Sequence, residues 1–157
     1  MSGVEIDLAN AWIIGRLASD PGPGGAAALA TGGIHSRRAP LGVQTPFISI
    51  RFLGGPYTNA VGAIRVGLNG LFSVIVWDRA QSTDRIVPIA ARIDARLQLD
   101  PRNLADASGI AFELGGTTYT GTILGCVAET PLAPDETRDG ATWVGLGATY
   151  RIQVQQG

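Results

Sequence analysis

The sequence predicts an α+β fold: an antiparallel-rich sheet packed against two helices, in the order α-β-β-β-β-α-β-β-β. Three observations carry that reading. Val4, Leu8, Ala11, Trp12 and Gly15 recur at three- and four-residue steps, as one face of a helix does. Ile86, Ile89, Ala90, Ile93 and Leu97 repeat the spacing mid-chain. Apolar and polar residues instead alternate through Phe47–Leu53, and without error through Trp143–Val154, as in strands with one packed face.

The first helix has Ser2 as its expected cap, with Glu5 three residues on in a capping-box pattern. Glu5 and Asp7 suit the positive end of that helix. Asp20-Pro21-Gly22-Pro23-Gly24-Gly25 stops it, and the Ala/Gly-rich stretch to Gly33 reads as a surface loop. With no Gly-Lys-Ser/Thr and no preceding strand, that stretch is not a phosphate cradle. Ile34–Arg38 is a short strand, turned at Ala39-Pro40-Leu41-Gly42. Phe47–Leu53 follows and ends at Gly54-Gly55-Pro56.

Ala60–Leu68 is the next strand. Asn69-Gly70 offers a type I′ hairpin turn, since both residues accept positive φ. The alternative is one long strand over 60–77 with a bulge at Gly70. Leu71–Trp77 is apolar on both faces and belongs centrally in the sheet. Ser82 and Thr83 start the second helix, where Pro88 fits only in the first turn; Arg92, Asp94 and Arg96 point outward. Asp100-Pro101 ends it. Ile110–Leu114, a Gly115-Gly116 turn and Thr117–Glu129 come next, then a polar loop over Pro131–Gly140 and the final strand. Both helices are expected on one side of the sheet. The 157 residues read as one domain, 1–157, with loops at 20–33 and 131–140.

Composition narrows the function classes. The formal net charge of −1 gives no basic footprint for wrapping nucleic acid. All twelve basic residues are arginine, which fits a GC-rich genome and also suits planar ion pairs between subunits. A single cysteine, Cys126, rules out an internal disulfide framework, and no apolar run is long enough to span a membrane. MSGVEIDL lacks the pattern of a signal peptide.

No catalytic constellation emerges. His35 is the only histidine, and its neighbour Ser36 points to the opposite face of a strand. Cys126 sits in an apolar strand with no adjacent charge to activate it. Asp135, Glu136 and Asp139 cluster near Arg138 in a loop whose spacing matches no EF-hand, so solvated charge is the plain account. Trp77-Asp78-Arg79 reads either as a core tryptophan with a helix-approach acid, or as an Asp78–Arg79 contact with a neighbouring subunit. Arg37-Arg38 is a surface doublet, or an interface or phosphate contact. The candidate interface residues are therefore Arg37, Arg38, Asp78, Arg79, Asp135, Glu136, Arg138 and Asp139. No cofactor or metal is expected.

Several short motifs run in order along most of the chain: a first helix ending near Ser19, the Arg38-Ala39-Pro40 turn, Thr45-Pro46-Phe47, Val74–Trp77 feeding the helix of Ile86–Leu99, and a closing strand pair. In these the chain resembles the tail terminator (tail completion) proteins of long-tailed, siphovirus-like bacteriophages. The Gly/Ala-rich insertion at 22–33 and the acidic loop at 131–140 depart from the compact family outline.

The resemblance implies a non-enzymatic virion protein, assembled in the bacterial cytoplasm and located at the tail neck. It implies a homohexameric ring that caps the tail tube, ends polymerisation and joins the tail to the head connector. Its partners would be its own copies, the major tail tube protein and the connector or stopper, with DNA threading the lumen unread. The competing readings are a head-completion (stopper) protein, a tail-tube subunit and, from another class, a small-molecule-binding enzyme domain.

Overall fold

The structure is a computed structural model, and it describes residues 3–36, 39–40, 42–59, 65–99 and 107–156. The elements are α1 (Val4–Ala18), α2 (Ala26–Leu29), β1 (Ile34–Ser36), β2 (Phe47–Gly54), β3 (Tyr57–Asn59), β4 (Arg65–Asp78), α3 (Val87–Leu97), β5 (Ser108–Leu114), β6 (Thr117–Leu132), β7 (Asp135–Arg138) and β8 (Ala141–Gln156). The eight strands form one sheet in the order β1-β2-β4-β8-β6-β5, with β3 beside β4 and β7 beside β8. All pairs are antiparallel except β1 with β2. The predicted α+β class and its antiparallel-rich sheet are what the chain adopts.

The long strands are held by their side-chain pattern. Val74 faces Ala148 and Ile50, while Phe72 faces Tyr150 and Phe52. Residues directly opposite in a ladder share a face, so the apolar row continues across the sheet. Helices α1 and α3 cover that face. Leu8, Trp12, Ile13 and Leu17 of α1 and Ile89, Ile93 and Leu97 of α3 join Ile48, Ile50, Phe72, Val74, Val76, Ile123, Ile152 and Val154 in one core. Each such side chain contributes roughly 1.5–3 kcal/mol when fully withdrawn from water.

Helix α1 begins after Gly3 in a left-handed conformation, without a side-chain cap, and Ser2 lies outside the described residues. Its buried stripe also differs from the expected one: Ile13 and Leu17 are buried and Gly15 is exposed. The Ala/Gly-rich stretch is no simple loop. It contains α2, and Ala26 and Ala30 enter the core.

Asn69-Gly70 makes no turn. Strand β4 runs through it in an uninterrupted ladder with β8 from Gly67↔Gln155 to Asp78↔Val144, so the long-strand alternative is the one realised. The register shift falls not at Gly70 but in β2, between Phe52 and Gly54, opposite Phe72 and Leu71. Gly54-Gly55-Pro56 ends β2 as expected, and β3 then pairs with β4 on the same side. The predicted strand start at Ala60 lies outside the described residues. Gly115-Gly116 forms the predicted turn, both residues at positive φ.

The outward residues of α3 are engaged. Arg92 Nε donates to both oxygens of Asp20, at 2.9 and 2.7 Å, and Arg96 Nε lies 3.7 Å from the same carboxylate. Asp20 Oδ2 also accepts the Ala26 N–H at 2.9 Å. The Arg92 hydrogen bond, helped by the Ala26 N–H, holds the buried Asp20 carboxyl below its ordinary 3.8 despite the cost of burial. This acid, part of a sequence read only as a helix stop, ties the end of α1 to α2 and α3.

Two measurements check this account. Ile93→Ala should lower unfolding free energy by about 2–5 kcal/mol in urea denaturation. Asp20→Asn should lower the melting temperature at pH 7. Because folding depresses the Asp20 pKa, the wild-type advantage is full above the ordinary value of 3.8 and shrinks as pH falls below it. Equal gaps between the two proteins at pH 7 and pH 3 would refute the assignment.

Candidate assembly surface

The region over 131–140 is strand, correcting the expected loop. Strand β6 continues to Leu132, and β7 then takes over the same edge of β8, pairing Asp135↔Val144 to Arg138↔Ala141. Strands β6–β7 and β8 thus make one long hairpin. Its turn is Asp139-Gly140, with φ of 53° and 74°, the two positive values of a type I′ turn. The dipeptide chemistry sought at Asn69-Gly70 operates here instead. Strand β4 stops opposite Val144, so the last turn of the hairpin carries on past the sheet as a two-stranded tip.

Every residue of β7 is exposed. Arg138 pairs with Glu136 at 2.6 Å, and among the described residues Asp135 and Asp139 have no ion-pair partner. The tip is therefore polar and net acidic. At its base Arg151 grips Glu129 through Nε at 3.0 Å and a second nitrogen at 3.2 Å. Trp143 lies edge-on to Phe47, with ring centroids 6.1 Å apart, which seats the hairpin against β2.

The other candidate residues separate. Arg37 and Arg38 lie outside the described residues. Asp78 is fully buried and Arg79 is exposed. Asp78 faces the helix layer beside Val144, and Arg85 reaches within 3.6 Å of it while donating to the Thr45 carbonyl at 2.9 Å. Trp77, on the opposite face, is half-buried rather than core, and its Nε1 donates to Ser49 Oγ at 3.1 Å. Of the eight candidates, Asp135, Glu136, Arg138 and Asp139 come together at the tip, and Arg79 stands apart on the surface.

Groups with possible chemistry are absorbed structurally. His35 Nε2 donates to the Gly32 carbonyl at 2.8 Å. Burial pushes the Cys126 thiol up to about 12. The Tyr150 hydroxyl donates to Asp94 at 3.1 Å, and burial, then Asp94, raises its pKa. A groove of about 300 Å3 above this pair is lined by Ala90, Ala128, Pro131 and Ala148. Among the described residues no three of His, Cys, Asp and Glu gather as a metal site, and no helix is long and apolar enough to cross a membrane.

Residues 12–121 match the family described as Tail completion protein gp17, more than half of the chain. The chain belongs to that family. It is accordingly a structural protein of the phage tail, as the short motifs along the chain suggested. The match ends before most of β6, and before β7 and β8. No curated protein matches the sequence. Among solved structures, a chain from the virion of a native gene transfer agent particle shares the fold, with a TM-score of 0.55 and 17% identity. The superposition covers 96% of this tail completion protein and 98% of that chain. A second solved chain, at 18% identity, aligns over 94% of this one with a TM-score of only 0.45.

The turn geometry has a direct check. A β-branched side chain at positive φ is strained, so Gly140→Val should cost about 1–3 kcal/mol in denaturant unfolding. Asp139→Asn, which tolerates the same backbone, should be close to neutral.

Proposed function

We propose that this chain forms a closed ring on the end of the phage tail tube, stops its polymerisation, and joins the tail to the head connector. The observation that carries the reading, beside the family, is the acidic hairpin tip. It extends past the sheet, exposes all of β7, and leaves Asp135 and Asp139 without ion-pair partners among the described residues. A two-stranded tip that projects past the sheet is suited to contact along the ring axis. Its neighbours would be the major tail tube protein on one side and the connector or stopper on the other. Arg79, exposed after β4, and the Arg37-Arg38 doublet are proposed for contacts between copies, whereas Asp78 would act through its hold on Arg85.

The ring is proposed to be a homohexamer. DNA would pass through its lumen without sequence readout, in keeping with a net charge of −1. The protein would be assembled in the bacterial cytoplasm, reside at the tail neck of the virion, and act by binding rather than catalysis. One feature favours a second reading, a tail-tube subunit: the hairpin arm expected of such a subunit is supplied by the long β6 and β8.

Electron microscopy of particles from a phage with an early stop codon in this gene separates the possibilities. Overlong, irregular, headless tails are the expected result. Normal-length tails beside unjoined heads would move the protein to the stopper position, and absent tails would make it a tube subunit. Intact infectious virions would end the virion reading. In the same system, Asp135→Arg with Asp139→Arg should leave the protein folded but reduce head-tail joining at least about tenfold, the scale of losing a few kcal/mol at a charged contact.

A further inference from the structure

The two edges of the sheet differ in a way that makes them fit one another. Strand β5 pairs with β6 over Ser108–Leu114 without a register shift, and among the described residues no strand pairs along its other side. It contains no proline, no lysine and no bulge, the usual devices that blunt an exposed edge. Ile110 and Phe112 pack towards the helices, so Glu113 projects from the bare face, where it accepts a hydrogen bond from Thr118 at 3.4 Å. At the opposite edge, beside the short β1, Arg51 is exposed on that same bare face and has no carboxylate partner among the described residues. Each edge also ends on a large exposed leucine, Leu53 at 48% and Leu114 at 55%.

We propose that the sheet continues from one copy of this chain into the next, β5 of one subunit lying alongside the β1–β2 edge of its neighbour, with Glu113 set against Arg51. The opposite charges at the two unpaired edges support a second copy as the occupant, and strand direction sets how the copies pair. From β2 to β5 the chain direction reverses four times, through β4, β8 and β6, and β1 is parallel to β2. The two edges therefore run the same way. Rotation about an axis along the strands brings β5 of one copy beside β1–β2 of the next as a parallel pair, and repeating that rotation closes a ring. This seam gives the ring its two unlike, complementary patches, and so rests on the ring reading above.

A charge swap tests it on the full-length chain by analytical ultracentrifugation, with circular dichroism to verify folding. Glu113→Arg and Arg51→Glu should each raise the dissociation constant about tenfold, and the double variant should return to within about threefold of wild type. Leu114→Lys, which leaves both charges in place, should also weaken association. A wild-type chain that stays monomeric to about 1 mM would overturn the proposal. So would single variants that associate normally, or a double variant no better than the singles. The terminator role is read separately by tail length: overlong tails without the protein, together with silent seam variants, would discard the seam and keep the role.

Discussion

Everything else in this fold depends on β8 being paired along both of its edges. Its sixteen residues meet β4 on one side, and β6 and then β7 on the other. A strand so placed must satisfy two ladders while presenting a packed row to the helices, and strict alternation is the pattern that does so. Val144, Leu146, Ala148, Tyr150, Ile152 and Val154 fill the helix side. The other face needs close approach: a Cβ at Gly147 would sit 2.0 Å from the Val74 carbonyl oxygen. The alternation is thus the cause of the central position. It also holds open the hairpin, because among the described residues β7 pairs only with β8.

The helix layer is secured by different physics. Burial of Ile, Leu and Trp side chains is non-directional and leaves the helices free to slide. The Asp20 carboxylate removes that freedom by accepting from Arg92 and from the first N–H of α2 together. Arg96 adds a second fixed point, donating to the Arg16 carbonyl at the end of α1. A buried carboxylate held by several donors is costly to leave half-satisfied, so the contact selects one helix packing over near alternatives.

How much of this was legible in the sequence follows from which forces act locally. The regular elements were: α1, α3 and β8 declare themselves by periodicity, and Gly115-Gly116 by its backbone freedom. Strand β6 shows no clean alternation because register shifts between Ile123 and Gly125, and between Ala128 and Thr130, reverse its faces. The same cause hid the hairpin, whose exposed β7 has no apolar face to betray it. Asn69-Gly70 has turn chemistry, but β8 offers both residues a ladder, and tertiary pairing overrode local preference. Of the candidate residues, the acids near Arg138 were found by charge density and proved to share a tip. Asp78 was found by position, yet faces inward, since strand parity alone decides on which side of Trp77 it falls. Asp20 was missed as a contact because Arg92, its strongest partner, lies 72 residues away.

An assembly role makes sense of features that would be faults in a solitary protein. One sheet face carries α1 and α3; the other has no helix among the described residues, and there Phe47, Trp77 and Trp143 are half-buried. A hairpin tip that runs past the sheet and an unblunted edge strand leave open backbone and side-chain surface that a solitary protein would cover. Catalysis would instead require charged groups converging in a cleft, whereas Asp94, Tyr150, His35 and Cys126 are spent on internal contacts or buried. Binding surfaces can afford to be shallow and spread along an edge, because symmetry repeats each weak contact around a ring. A chain whose strongest internal constraint is a sheet, and whose open features lie at that sheet's edges and end, suits the ring proposed above.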